Sequence, residues 1–479
     1  MSADAPTTGS SASSSRANRP LAVVVLAAGL GTRMKSDLPK VLHPICGRPL
    51  LAYVLDAAAS LRPARLVVVT GPEEGAALDA VLPPGAERAV QHDRLGSGDA
   101  LRVGMTSLDD FDGDVMVLNG DVPLATGELL KGLRKHYVEQ TGRATITTVV
   151  LADAVHYGRV LRDGNGDVRA IVEARDASPE ELAGREINVG FYVFDAAELR
   201  RFLPTLTADN VQGEYYITDL VHRFLEAGDR VGAFLTADVE ASLGVNSRRE
   251  LADVTAIVRA RILDALMLDG VTIEDPSATY VDWGVSVGRD SLLRPQTMLT
   301  GATTIGERCV VGPGCFLQHA VVDDGASVVS SHLVECHIGP GCTVGPFAFV
   351  RPGTELAEGA KAGSFVEIKA SRVGKGSKVP HLSYIGDAAI GEGTNIGAGT
   401  ITANYDGERK HPTTIGDGVK VGSDTVFVAP VSVGDGAYTG AGSTITRDIP
   451  SDALGVARGK QENIERYAER RRLRPKADG

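Results

Sequence analysis

Apolar residues fall in short β-branched runs at positions 22–26, 66–69, 115–118 and 145–151, and between them lie segments such as 50–61 with apolar positions at helical spacing. This alternation predicts a mostly parallel sheet covered by helices on both faces, occupying residues 20–247. From 248 to 269 the pattern changes: Leu251, Val254, Ile257, Val258, Ile262, Ala265 and Leu266 recur at helical spacing among charges. One connecting helix is expected there.

Beyond Gly270 a period of six takes over. Aliphatic or aromatic residues recur at Ile305 and Val311; at Ile338, Val344, Val350 and Leu356; at Val373, Val379 and Ile385; at Ile390 and Ile396; and at Ile415, Val421, Phe427 and Val433. Six residues do not suit a 3.6-residue helix, but they suit a parallel β-coil in which every sixth side chain joins one axial stack. The residue two before is nearly always small, as at Cys342, Ala348, Ser371, Ser377, Ser383, Thr394, Thr413 and Thr425, which permits tight corners between flat faces. The coil is expected over 270–458.

With 479 residues and 43% apolar content the chain can bury more than one core, and a net charge of −12 argues against a general nucleic-acid or anionic-membrane surface. The five cysteines are odd in number; Cys309, Cys315, Cys336 and Cys342 each stand two residues before a repeat aliphatic, so they read as packed corners rather than disulfides or metal ligands. A reducing, cytoplasmic compartment fits that usage. No run of 18 apolar residues is present, so no spanning helix is expected. Arg16 and Arg19 before the apolar run 21–30 imitate a leader, but that run continues into Gly31-Thr32-Arg33, so cleavage would destroy a motif. Residues 1–19 read as a disordered Ser/Ala/Thr tail, and 459–479 as a basic, solvated one whose minority reading is contact with an acidic neighbouring subunit.

The string Leu26-Ala27-Ala28-Gly29-Leu30-Gly31-Thr32-Arg33-Met34, with Pro39-Lys40 after it, sits where the first strand turns toward a helix. Small residues let backbone N–H groups approach a phosphate, and Arg33 and Lys40 can neutralise a triphosphate. The third glycine of the dinucleotide fingerprint and the Lys-Ser/Thr of a P-loop are both missing. Leu118-Asn119-Gly120-Asp121-Val122-Pro123 places an acid at a strand end, the usual place for ligand chemistry in an open α/β sheet.

Departures from the six-residue repeat mark a second centre: Arg351, Lys369, His381 within Val379-Pro380-His381-Leu382-Ser383-Tyr384, and the insertion from Asn404-Tyr405-Asp406-Gly407 to Lys410. Cations there can hold a phosphate, and because imidazole as a side chain suits taking a proton from an amine near neutral pH, His381 is the candidate base. His319, His332 and His337 read as bystanders.

From residue 21 to 458 the chain resembles the sugar-phosphate nucleotidyltransferases, and among them the bacterial bifunctional N-acetylglucosamine-1-phosphate uridyltransferase/glucosamine-1-phosphate acetyltransferase family. The resemblance implies a Rossmann-like α/β nucleotidyltransferase domain followed by a left-handed parallel β-helix of hexapeptide repeats. It implies acetyl-CoA-dependent N-acetylation of glucosamine 1-phosphate, then uridylyl transfer from UTP to N-acetylglucosamine 1-phosphate with release of pyrophosphate. The product is a precursor of peptidoglycan and other bacterial envelope polymers. For the first site it implies that Leu26, Ala27, Ala28, Gly29, Arg33, Lys40 and Asn119 meet the nucleotide, that Gln91 and the loop of Gly96 and Ser97 read uracil, and that Gly158, Glu173 and Asn188 hold the sugar. Asp121 and Asn246 are the implied Mg2+ ligands. For the second site it implies Arg351, Lys369, Tyr384, Asn395 and Lys410 for glucosamine 1-phosphate, His381 as proton acceptor, and Ala398, Asn404, Tyr405, Ser423, Ala441 and Arg458 for acetyl-CoA. A homotrimer with acetyl-transfer sites between subunits is implied as well. The sequence departs from the family pattern at Asn119, where an aromatic is common, at Ser97 for Thr and at Asp99 for His. Two other readings remain: a uridyltransferase whose coil is only structural or regulatory, which leaves His381, Lys369 and Lys410 without a task, and a non-catalytic interaction protein, which leaves Asp121, Asn246, Arg33 and Lys40 without one.

Overall fold

A computed structural model of the protein describes residues 16–72, 75–140, 142–154 and 157–473. It divides into two compact units, residues 1–258 and 259–479. The helix Arg248–Leu268 supplies residues to both, its part up to Val258 belonging to the first.

The first unit is built on strands β1 (Leu21–Leu26), β2 (Arg65–Thr70), β3 (Glu87–Val90), β4 (Asp114–Asn119), β5 (Ala144–Val150), β6 (Arg159–Arg162), β7 (Val168–Val172), β8 (Glu186–Asp195) and β9 (Val231–Leu235). Among the described residues these form one sheet in the order β9-β5-β8-β4-β1-β2-β3, with β6 and β7 paired off β8. Strands β3, β2, β1 and β4 run parallel, as do β5 and β9. The main path of the sheet is mostly parallel, as expected, with β8 as its exception: it is antiparallel to both β4 and β5. The chain reaches β8 through the antiparallel pair β6–β7 rather than through a helical crossover, and such a connection returns a strand in the opposite sense.

Side-chain alternation divides each central strand between two cores. Val24, Val67, Val69, Val115 and Val117 pack on one face against helices Ser97–Thr106, Ala196–Phe202 and Asp219–Glu226. Val23, Val25, Val68, Met116 and Leu118 pack on the other against Leu50–Ala59 and Gly127–Glu139. The last helix starts where Thr126 Oγ1 accepts from the Leu129 N–H at 3.2 Å, and it turns Leu129, Leu130, Leu133 and Tyr137 inward. Arg16 and Arg19, assigned to the tail by composition, are anchored instead: Arg16 donates to the carbonyls of Gln140 and Gly142, and Arg19 pairs with Asp195 at 2.6 Å. Residues 1–15 of that expected tail lie outside the described residues.

In the second unit three parallel sheets of seven, ten and nine strands are wound from the period of six. Corresponding residues of the ten-stranded sheet are 16–18 apart from Tyr280 through Met298, Phe316, His332, Phe349, Glu367 and Tyr384 to Ile401. Ile401 then pairs with Val426, 25 residues on, so one coil carries the predicted insertion. Val287, Ile305, Val322, Ile338, Leu356, Val373, Ile390, Ile415 and Val433 stack in register as one aliphatic column of the nine-stranded sheet. Small corner residues are buried and bond the neighbouring coil, as where Ser377 Oγ donates to the Gly391 carbonyl at 2.6 Å and accepts from the Thr394 N–H at 2.8 Å. Cys309, Cys315, Cys336 and Cys342 are buried thiols in this core.

Candidate functional sites

Adjacent β1 and β4 lead away in opposite directions, β1 toward β2 and β3 and β4 toward β5, so a topological switch point lies between their carboxyl ends. A cleft of about 460 Å³ opens there, and its walls include Leu26, Ala27, Ala28, Gly29, Arg33, Lys40, Gln91, Gly96, Ser97, Asn119, Asp121 and Asn246. The two strand ends are joined by the Gly120 N–H donating to the Leu26 carbonyl at 2.8 Å. Gly31, at φ 61°, closes the short turn Thr32–Met34; a Cβ there would lie 2.7 Å from Lys40 Cβ, so glycine lets the lysine segment pass.

Lys40 is nearly buried, and its ammonium donates to Asp121 Oδ2 at 2.6 Å and to Asn246 Oδ1 at 3.1 Å. The Val245 N–H donates to the Asp121 carbonyl, and Glu250 accepts from the Asn246 N–H, each at 2.9 Å, which fixes the asparagine beside the aspartate. Arg248 donates to the Met34 carbonyl at 3.1 Å, tying the start of the long helix to the turn that carries Arg33.

Gly158, Glu173 and Asn188 do not line this cleft. They form an adjoining group: the Asn188 N–H donates to the Gly158 carbonyl at 2.9 Å, and a Cβ on Gly158 would stand 3.4 Å from Glu173 Oε2. Burial pushes the Glu173 carboxyl up, against the lowering effect of the Thr218 hydroxyl that donates to it at 3.1 Å. Asn119 connects group and cleft, because Gly190, at φ 90°, leaves room for its amide; a Cβ there would lie 2.1 Å from Asn119 Nδ2. Arg94 and Glu214 also line the cleft and escaped the sequence reading. Arg94 is next to the Leu95-Gly96-Ser97-Gly98 string, whereas Glu214 comes close only because Tyr215 exchanges backbone bonds with Leu95 and Gly98.

In the β-helix the second set of residues follows two edges of the ten-stranded sheet. Along the first edge, the His381 carbonyl accepts from Gly399, that of Ala398 from Asp424 at 2.7 Å, and that of Ser423 from Gly442 at 2.8 Å. Arg458 Nη1 reaches the next carbonyl, that of Ala441, at 2.7 Å. One exposed imidazole is thus followed, coil by coil, by a track of small residues ending at a guanidinium. Among the described residues the His381 ring has no hydrogen-bond partner.

On the second edge Arg351 Nη1 donates to Glu367 Oε1 at 2.7 Å, Lys369 Nζ approaches Asp387 Oδ2 at 3.5 Å, and the Asn404 amide donates to the same carboxylate oxygen. Gly386 is aligned with Lys369 on the neighbouring coil, and a Cβ there would meet Tyr384 Oη at 2.5 Å and Asn404 Nδ2 at 2.7 Å. Glycine therefore lets the tyrosine and asparagine close over one spot. Lys410, from the insertion, comes close to Lys369, and its interaction with that ammonium pushes Lys410 below the ordinary lysine range. Within the insertion Asp406 accepts from the Glu408 and Arg409 N–H groups and meets His411 Nε2 at 2.6 Å, which holds its carboxyl far below the usual range, while Tyr405 stays exposed.

Residues 23–178 match the MobA-like NTP transferase domain, and residues 412–447 match the bacterial transferase hexapeptide family of six repeats. The chain is 47% identical over 457 residues to Bifunctional protein GlmU of Corynebacterium aurimucosum, covering 94% of each. It is 48% identical over 458 residues to the protein of that name in Streptomyces avermitilis, 95% of each, and 46% identical over 446 residues to that of Brevibacillus brevis, 93% of this chain and 96% of the relative. The chain belongs to the GlmU family of bifunctional proteins. It is a bifunctional transferase, with a nucleotidyltransferase unit followed by a hexapeptide-repeat acyltransferase unit of left-handed β-helix type.

In this GlmU-family chain the two edges of the β-helix are not brought together. His381, Ala398, Ser423 and Ala441 lie before the ten-stranded sheet on their coils; Lys369 ends its strand of that sheet, and Arg351 and Asn404 lie just after theirs. Asn395 is elsewhere again, in bridge register between Lys378 and Lys420. The bystander histidines have structural partners: His319 Nδ1 accepts from the Ala302 N–H, His337 meets Asp323 at 2.8 Å, and His332 packs between Phe316 and Phe349.

Proposed function

We propose that the first unit transfers a uridylyl group from UTP to N-acetylglucosamine 1-phosphate, and that the second makes that sugar phosphate from glucosamine 1-phosphate and acetyl-CoA. The observation that carries the first half is the convergence of Asp121, Asn246 and Lys40 at the switch point. Two oxygens of different chain segments meet one cation there, and a carboxylate with an amide carbonyl is the hard-oxygen pair that suits Mg2+, an ion that keeps other positions for water and phosphate. When bound, the ion offsets charge on the phosphate oxygens. Lys40 and Arg33 supply positive charge of their own to the triphosphate, while the small residues from Ala27 to Gly29 let it approach the backbone. The sugar phosphate's oxygen attacks the α-phosphorus, a P–O bond forms and pyrophosphate leaves. The enclosed group of Gly158, Glu173 and Asn188 holds the sugar.

In the second unit Arg351, Lys369 and Lys410 bind the phosphate of glucosamine 1-phosphate, and Tyr384 and Asn395 contact its ring. Acetyl-CoA lies along Ala398, Ser423 and Ala441, with Arg458 at the far end and Asn404 and Tyr405 beside it. His381 takes the proton from the attacking amine, the C–N bond forms at the thioester carbonyl, and the CoA sulfur leaves. Because imidazole and lysines occupy different edges, the site is completed by a second copy of the chain in a homotrimer. The exposed apolar residues Phe347, Phe349, Phe365, Leu382 and Ile401 support such packing. None of the described helices is long and apolar enough to cross a membrane. The buried free thiols of Cys309, Cys315, Cys336 and Cys342 support action in a reducing cytoplasm.

Reciprocal variants test this reading. Asp121→Asn is expected to abolish uridylyl transfer while CoA release continues, and His381→Ala to lower CoA release at least about 100-fold while uridylyl transfer continues. Equal loss of both activities in either folded variant would refute the division.

A further inference from the structure

Gln91 lines the nucleotide cleft beside Gly96 and Ser97, yet it is only 3% exposed, and Asp99 behind it 8%. Gln91 Nε2 donates to Asp99 Oδ2 at 2.8 Å and to the Gly96 carbonyl at 3.2 Å, so both amide hydrogens are committed. An ionised carboxylate and a carbonyl only accept. Turning the amide over would set Oε1 against two acceptors and leave both without a donor, at a buried position where an unmade bond is most costly. Asp99 cannot swing away easily, because Arg102 Nη1 holds its other oxygen at 3.3 Å and the guanidinium is itself stacked 4.8 Å over the Tyr215 ring. Gln91 Oε1 takes no hydrogen bond among the described residues.

We infer that Asp99 is a specificity-determining positioning residue: through Gln91 it makes this wall of the cleft an acceptor that selects a pyrimidine carrying a ring N–H. The inference rests on the uridylyl-transfer reading and deepens it. Uracil presents N3–H between two carbonyls and satisfies Oε1. Cytosine places a lone pair at that ring position, acceptor against acceptor. A site built to bond one hydrogen rejects analogues lacking it far more strongly than a merely apolar pocket does. The histidine usual in the family at this position has ring nitrogens that donate or accept according to tautomer; the carboxylate of Asp99 only accepts.

The test compares kcat/KM for UTP, CTP and N3-methyl-UTP in the full-length wild-type protein and in Asp99→Asn. Wild type is expected to prefer UTP over CTP by at least about 1,000-fold. Asparagine can donate as well as accept, which frees the Gln91 amide to turn. The variant is therefore expected to narrow the ratio at least about 30-fold, with an absolute gain on CTP that simple damage to the site would not give. An unchanged ratio in folded Asp99→Asn overturns the proposal. If that variant does not fold, the wild type decides: rejection of N3-methyl-UTP as strong as that of CTP supports an outward acceptor, and ready use of the methylated nucleotide overturns it. A wild-type protein that turns over no UTP removes the uridylyl-transfer reading as well, which separates the two failures.

Discussion

Mixing two inactive variants should restore acetyl transfer, because the residues proposed for the second site are divided between two edges of the β-helix. His381 stands before the corner at Leu382, while Lys369 closes the strand Glu367–Lys369 on the preceding coil, with an intervening sheet face between the edges. The three residues of a strand such as Glu367–Lys369 advance about 10 Å, further than an imidazole reaches. His381→Ala removes the proposed base and should cost about 100- to 10,000-fold in rate. Lys369→Ala removes one of the proposed phosphate-binding cations from the opposite edge and should leave Lys410 and Arg351 holding the substrate poorly. If each site takes one edge from each of two subunits, every mixed trimer, whichever variant is in excess, contains about one intact site in three. Co-expressing differently tagged variants, isolating the doubly tagged trimers and following free CoA thiol should therefore recover tens of per cent of wild-type activity from parents that have almost none. Doubly tagged trimers no more active than the mean of their parents would show that both residues serve one chain, and the composite site would be refuted.

Two further outcomes follow from the units themselves. A fragment ending after Val258 keeps Arg248 on the Met34 carbonyl and Glu250 on Asn246, and is expected to retain uridylyl transfer; one ending before Arg248 should lose at least about tenfold in kcat/KM by the nucleotide assay, through a misplaced Arg33 turn. Burial pushes the thiols of Cys336 up to about 12 and Cys342 to about 11, and Cys309 and Cys315 are raised too, so at pH 8 these four stay protonated and should resist a thiol reagent until the protein is denatured; rapid native modification of any of them would contradict the core placement.

The β-helix was legible in the sequence because its period is local: each aliphatic from Ile305 to Val433 announces its own place in the stack, and each small corner residue its own turn. The cleft was legible as far as its strings were contiguous, from Leu26 to Met34 and from Leu118 to Pro123. Its remaining parts depend on pairings that no local pattern carries. Glu214 reaches the wall through Tyr215, and β8 reverses the sheet because the β6–β7 pair, hidden among weakly patterned residues, replaces a crossover. Arg16 and Arg19 looked like tail because composition registers missing apolar burial and not a guanidinium seated on carbonyls and on Asp195. Asp99 was noticed as a departure from the family, but its bond to Gln91 is a fact of folding across the loop between them.

The most direct measurement is product formation by the purified protein given glucosamine 1-phosphate, acetyl-CoA, UTP and magnesium, with each component omitted in turn. UDP-N-acetylglucosamine is expected only from the complete mixture, with CoA released even when UTP is absent, and N-acetylglucosamine 1-phosphate should replace the first two components together. Formation of the UDP-sugar from N-acetylglucosamine 1-phosphate without any CoA release from glucosamine 1-phosphate and acetyl-CoA would contradict the bifunctional assignment and leave the β-helix a structural or regulatory module.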